Sequence, residues 1–165
     1  MPMSEYVKAL RAAMGPQRLL LPSVSALVYD DSGRLLLVRQ SDGDAWSTPG
    51  GAIEFDETPA DAVVRETWEE TGLHVSATRI FGVYGGPNFV VRYENGDEAQ
   101  YAMIAFECDV LAGSLRCDGV ETTDVRFWGA GERPNLAPWL KSMFPIFLAR
   151  EANAFFEPAT WRPPG

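Results

Sequence analysis

A chain of 165 residues, 46% hydrophobic and 12% aromatic, carries enough apolar material for one domain with a sizeable core. Its net charge of −9, from 23 acidic and 14 basic residues, argues against a long nucleic acid as partner, because such a partner needs a basic footprint. No apolar run approaches the ~18–20 residues of a membrane span, and the opening MPMSEYVKALRAAMG lacks the charged-then-apolar layout of a signal peptide, so a soluble, cytoplasmic protein is expected. The single histidine, His74, excludes a multi-histidine zinc site. Cys108 and Cys117 are too few for a disulfide framework and are read as reduced core or near-core residues.

In chain order, residues 4–14 space Tyr6, Val7, Leu10 and Met14 as an amphipathic helix, with Ser4 as N-cap and Gly15-Pro16 as the stop. Residues 23–30 and 34–40 read as strands flanking Asp31-Ser32-Gly33, a hairpin signal, and their nearly continuous apolar runs predict cover on both faces. Thr58-Pro59 starts a second helix over 59–71, with Asp61 completing a capping box and Gly72 as C-cap. Ala60, Val63, Val64, Thr67 and Trp68 form its expected apolar flank. Residues 75–86 predict one or two strands broken by glycine. Residues 89–93 and 99–110 predict a hairpin around Asn95-Gly96. Residues 111–120 read as irregular, 125–128 as a last strand, and 136–150 as a helix that Pro145 kinks or interrupts. The tail, 151–165, is expected to be partly ordered, with Phe155, Phe156 and Trp161 free to dock on the body or on a partner chain. Strands mixed with two main helices make one α/β domain, a sandwich with a mixed sheet.

The stretch Trp46–Leu73 stands apart, with seven acidic residues between a Pro-Gly-Gly turn and Gly72. A helix advances about 100° per residue, so Glu66, Glu69 and Glu70 share one face, where like charges repel by a few tenths of a kcal/mol per pair. A divalent cation is the natural compensation. Mg²⁺ prefers oxygen ligands and bridges to substrate phosphates. The Gly50-Gly51 backbone permits the close approach by which the Gly50 carbonyl would complete the shell.

Read as spacing, the stretch is Gly51, five residues, Glu57, seven residues, Arg65-Glu66, two residues, Glu69-Glu70, one residue, Gly72-Leu73, with a Trp-x-x-Pro-Gly-Gly lead-in. It resembles the signature of the Nudix (MutT-like) hydrolases, with Thr67 where that family has an aliphatic residue. Thr67 can keep a buried place by bonding its hydroxyl back to a helix carbonyl.

The resemblance implies a Nudix-type α/β/α sandwich over the whole chain. It also implies a Mg²⁺- or Mn²⁺-dependent hydrolase that breaks a pyrophosphate bond in a nucleoside diphosphate linked to another moiety. Metal ligation would fall to Gly50, Glu66, Glu69 and Glu70, and Glu57 and Arg65 would pair to brace the loop against the helix. The general base would be Glu66 or a loop carboxylate, here Glu98 or Glu121. Arg39 is a candidate phosphate contact. Tyr84, Phe89, Tyr93 and Trp128 are candidate stacking groups, and Trp46 is expected to pack under the turn. The partner implied is a small nucleotide, with a homodimer as the candidate assembly. A catalytically silent nucleotide sensor on the same fold is the alternative, but such a domain has no need of the full carboxylate set. A diphosphate isomerase would want a cysteine in the site. Nucleoside triphosphates, dinucleoside polyphosphates, nucleotide sugars and ADP-ribose all stay open as substrates, and acidic charge disfavours RNA ends.

Overall fold

Period-2 alternation in the first two strands sets the layers. In β1 (Leu19–Val28), Val24, Ala26 and Val28 pack with Ala62 and Val63 of α2 (Pro59–Thr71), while Leu27 turns to the cluster beneath α3 (Leu140–Ala149). In β2 (Leu35–Gln40), Leu36 follows the first set, and Leu35 and Leu37 follow the second. Helices thus cover two apolar faces, and α1 (Glu5–Met14) adds a third small cluster through Val7, Leu19, Leu21 and Ala99. The structure, a computed structural model, describes residues 5–41, 44–93, 95–117, 119–120 and 122–162, apart from the Glu5 side chain. Ser4, the expected cap of α1, lies outside them.

The strands form two sheets. The larger runs β1-β6-β4-β8, with β5 also on β6, where β4 is Leu73–Tyr84, β5 Val90–Arg92, β6 Glu98–Gly113 and β8 Phe155–Phe156. β1 is parallel to β6, and β4 and β5 are antiparallel to it, so this sheet is mixed. The smaller, antiparallel sheet is β3-β2-β7, with β3 at Trp46–Ser47 and β7 at Thr122–Trp128. The expected α/β/α sandwich is the observed architecture.

Several expectations need correction. The turn at Asp30–Gly33 forms, with the Asp30 carboxylate accepting from the Ser32 and Arg34 N–H groups, but β1 and β2 do not ladder beyond one bridge, Tyr29 to Leu35. The edge of β1 that β2 would use is already taken: Val24 N–H donates to the Gly51 carbonyl and Ala26 N–H to the Pro49 carbonyl, at 2.9 and 2.8 Å. Residues 136–139 stay outside α3, because Leu136 bridges to Trp46 and Ala137 N–H donates to the Trp46 carbonyl. The helix continues through Pro145. β6 runs on to Gly113, into the region expected to be irregular, because it ladders with the start of β4. Phe89 ends a 3₁₀ turn, Pro87–Phe89, ahead of β5. Cys108 is buried, but Cys117 is exposed.

The start of the tail docks on its own chain, while Phe156 and Trp161 stay exposed. Phe155 stacks on Tyr84 at 5.1 Å, and β8 pairs parallel with β4. Arg79 and Arg150 meet at Glu107, and Arg79 also donates to the Glu151 carbonyl at 2.9 Å. No helix among the described residues is long and apolar enough to cross a membrane.

The start of α2 is fixed by its capping box. Asp61 N–H donates to Thr58 Oγ1 at 3.2 Å, and Thr58 N–H donates to the Asp61 carboxylate at 3.3 Å. Thr58→Ala is expected to cost about 1 kcal/mol, read as a fall of roughly 2–4 °C in the thermal midpoint.

Candidate active site

The buried stripe of α2 is Ala62, Val63, Glu66, Thr67, Glu70 and Thr71. It is rotated from the expected flank: Ala60 is exposed, and Trp68 is 46% exposed with the Arg116 guanidinium 5.4 Å from its ring. Thr67 holds its buried place by donating to the Val63 carbonyl at 2.6 Å. The rotation sinks two of the three row carboxylates, leaving Glu66 4% and Glu70 0% exposed, while Glu69 stays at the surface.

A buried carboxylate must be met by donors or be neutralised. Glu70 Oε2 accepts the Gly50 N–H at 2.9 Å, and Oε1 accepts the Gln40 amide at 3.1 Å. Gly50 can present its N–H here only as glycine. Its φ is 151°, and an added Cβ would lie 2.2 Å from the Val24 carbonyl oxygen.

Arg65 organises the remainder. One nitrogen, Nη1, donates to Glu66 at 2.9 Å and to Glu69 at 3.1 Å. The opposite edge grips Glu57 in a fork, with Nη2 to Oε1 at 2.7 Å and Nε to Oε2 at 3.1 Å, and Nη2 also reaches the Ala52 carbonyl. The Arg65 hydrogen bonds hold the Glu57 carboxyl below the usual carboxylate range against an opposing burial effect, and the Glu54 N–H adds to the lowering. The Glu57 hydrogen bond in turn raises Arg65 above the usual guanidinium value.

The carboxylates of Glu66, Glu69 and Glu70 and the Gly50 carbonyl could offer a divalent cation hard oxygen ligands. A guanidinium nitrogen already stands as a cation between Glu66 and Glu69. Among the described residues, no three acidic, histidine or cysteine side chains converge closely enough to hold an ion.

The other candidates are scattered. Glu98 is gripped by Arg18 at 2.7 Å and Arg92 at 2.6 Å, whose hydrogen bonds hold its carboxyl low. Glu121 lies outside the described residues. Arg39 lies beside Thr123 and Asp124, with its guanidinium 5.9 Å from the Trp46 ring. Tyr84 and Phe89 are buried in the core beneath α3, and burial raises the Tyr84 hydroxyl to about 12. Tyr93 is half-exposed and shares a 2.6 Å hydrogen bond with Tyr101. Trp46 packs edge-on against Trp128 at 5.0 Å, with Arg126 over the Trp128 ring. Gln40 and Thr122, both bonded to Glu70, escaped the sequence reading, since a lone glutamine or threonine at a strand end carries no pattern.

A profile of the NUDIX domain matches residues 19–147. The chain belongs to the Nudix hydrolase family. Among its relatives, an RNA pyrophosphohydrolase of Halorhodospira halophila is 41% identical over 149 residues, covering 86% of this chain and 75% of the relative. A MutT-like protein of Streptomyces ambofaciens is 48% identical over 62 residues, covering 38% of this chain and 40% of that one. The chain thus spans between 40% and 75% of the length of these two curated relatives. Among solved structures, a UDP-X diphosphatase superposes with a TM-score of 0.67 at 26% identity, covering 89% of this chain and 70% of the other. The Nudix match begins beyond α1 and ends within α3, so the carboxylate row, Gly50 and Arg65 all fall inside it. Nudix hydrolases are generally dependent on divalent metal.

The Glu57–Arg65 pair carries a pH signature. A folded-state carboxyl held below its unfolded value stabilises the fold fully above about pH 4.3, the ordinary glutamate value, and that contribution is lost as pH falls through the lowered value. Thermal midpoints measured from pH 7 to pH 3 should therefore fall less steeply in Glu57→Gln than in the wild type.

Proposed function

We propose that this protein hydrolyses a pyrophosphate bond in a nucleoside diphosphate linked to another moiety, by water attack at phosphorus with Mg²⁺ or Mn²⁺ bound. The observation that supports the reading is that Glu70 accepts the Gly50 N–H while Glu66 and Glu69, neighbours on α2, share the Arg65 guanidinium. Glu66, Glu69, Glu70 and the Gly50 carbonyl are the ligands in this reading. The ion, when bound, screens the diphosphate, lowers the pKa of water and stabilises the departing oxygen.

The chain's own residues supply orientation and charge. Glu57, buttressed by the Glu54 N–H, holds Arg65, and Arg65 restrains Glu66 and Glu69 on the side facing the loop. Glu66 is our choice of general base among the three candidates. It sits in the row itself and accepts from one guanidinium, Arg65, whereas Glu98 is held by two, Arg18 and Arg92. A group held as a carboxylate by two guanidiniums is a weak proton acceptor. Arg39, at the end of β2, is assigned to a substrate phosphate, and the half-exposed Tyr93 to a ring of the substrate. The substrate is a small nucleotide derivative and the setting cytoplasmic. The names of the relatives differ in what they act on, which accords with the specificity groups lying outside the carboxylate row.

A panel of ADP-ribose, nucleotide sugars, dinucleoside polyphosphates and nucleoside triphosphates, incubated with Mg²⁺ or Mn²⁺ in H₂¹⁸O, tests this. The label should enter a phosphate product, and Glu69→Gln and Glu70→Gln should each lower metal-dependent turnover by more than about 100-fold, beyond the loss typical of residues that merely support a ligand. Full turnover in either variant would remove the proposed metal site. Binding of nucleotides by the wild type with no product would favour the silent sensor.

A further inference from the structure

The pairing of β2 with β7 breaks register at its end: Arg39 faces Asp124, but Gln40 faces Thr122, so Thr123 is the extra residue on β7. Thr123 is held there by Arg39, whose Nε donates to its hydroxyl at 3.2 Å. Bulges of this kind turn side chains away from the regular alternation. Here the turn brings both members of the displaced pair onto one residue of α2. Gln40 Nε2 donates to Glu70 Oε1 at 3.1 Å, and the Thr122 hydroxyl donates to the Glu70 carbonyl at 3.1 Å.

We propose that Gln40 is a positioning residue, whose amide fixes the plane of the Glu70 carboxylate so that the side chain meets a divalent ion already oriented. Glu70 has three torsions between its backbone and its carboxylate. The Gly50 N–H on Oε2 restrains one end of the carboxylate, and a single bond leaves rotation about it. The Gln40 amide on the other oxygen removes that rotation. An amide suits the place better than a cation would. It donates without adding positive charge beside an ion, and it keeps its donor at every working pH. Glu70 accepts from two dipoles, the Gly50 N–H and the Gln40 amide, while Glu66 and Glu69 accept from Arg65. The proposal rests on the reading of Glu70 as a metal ligand.

The test is Mn²⁺ binding by the full chain without nucleotide, measured by calorimetry and by the electron paramagnetic resonance of free Mn²⁺. Thermal midpoints in EDTA serve as the check on folding. Gln40→Met, close in shape and without a donor, is expected to weaken Mn²⁺ binding by about 10- to 100-fold, the range for lost outer partners of metal ligands. Gln40→His, whose ring N–H reaches about as far as the amide, should bind within a few fold of the wild type. If the Met variant fails to fold, Gln40→Asn, one methylene too short, takes its place with the same expected loss. Wild-type affinity in the Met or Asn variant would overturn the proposal, and so would an equal loss in the His variant. A Glu70→Gln control separates the two levels: if it binds Mn²⁺ as tightly as the wild type, the metal role of Glu70 falls, and that of Gln40 falls with it.

Discussion

A carboxylate with no solvent exposure has to find its donors inside the protein, and the Glu70 carboxylate takes donors from two separate parts of the chain. Its side chain belongs to α2. One oxygen is bound by the Gly50 N–H of the Pro-Gly-Gly loop and the other by Gln40 at the end of β2. The loop is itself hydrogen-bonded along β1 through Pro49 and Gly51, and β2 belongs to the smaller sheet. One side chain therefore ties the helix to both sheets at the place where they separate. The same loop occupies the edge of β1 that a hairpin partner would use, so the separation of the sheets and the anchoring of Glu70 share a cause.

Beside that anchor negative charge is concentrated. Glu57, Glu66 and Glu69 share one guanidinium, with Glu70 close by on the same helix. Arg65 takes up part of the repulsion and is itself held in place by the Glu57 fork. A site of this kind would repel a polyanionic substrate unless further positive charge arrived with it. That connects the electrostatics of α2 to the metal dependence general to the family. Glu98 presents the reverse: Arg18 and Arg92 on its carboxylate and Arg11 on its carbonyl make it a structural link between β6 and the segments flanking it.

The elements themselves were largely legible. Nearly continuous apolar runs on either side of a turn signal marked β1 and β2, and the Thr58–Asp61 box and Gly72 marked the ends of α2. What sequence could not supply was tertiary choice. Asp31-Ser32-Gly33 has hairpin chemistry, yet edge occupancy by the Pro-Gly-Gly loop decided otherwise. The carboxylate spacing revealed a shared face but not its rotational phase, because Thr67 and Thr71 satisfy their hydroxyls on the helix's own carbonyls and so tolerate burial. Leu136 has helical spacing with α3, but its backbone is needed by Trp46. Tyr84 and Phe89 look like stacking groups by residue type, but they pack against each other in the core with Phe147, and Tyr84 is also covered by Phe155 of the tail. Gln40 acquires its place only through a bulge made by a strand more than eighty residues away.

In the proposed function, α2 and the Gly50 loop form one divalent-metal site, with Arg65 holding part of the ligand set until the ion arrives. A crystal structure of the wild-type chain grown with Mn²⁺, with anomalous data collected at the manganese edge, addresses it directly. Anomalous density is expected among the carboxylates of Glu66, Glu69 and Glu70 and the Gly50 carbonyl, with Arg65 still forked on Glu57 but no longer bridging Glu66 to Glu69. Manganese bound elsewhere, with that bridge intact and no density along the row, would contradict it.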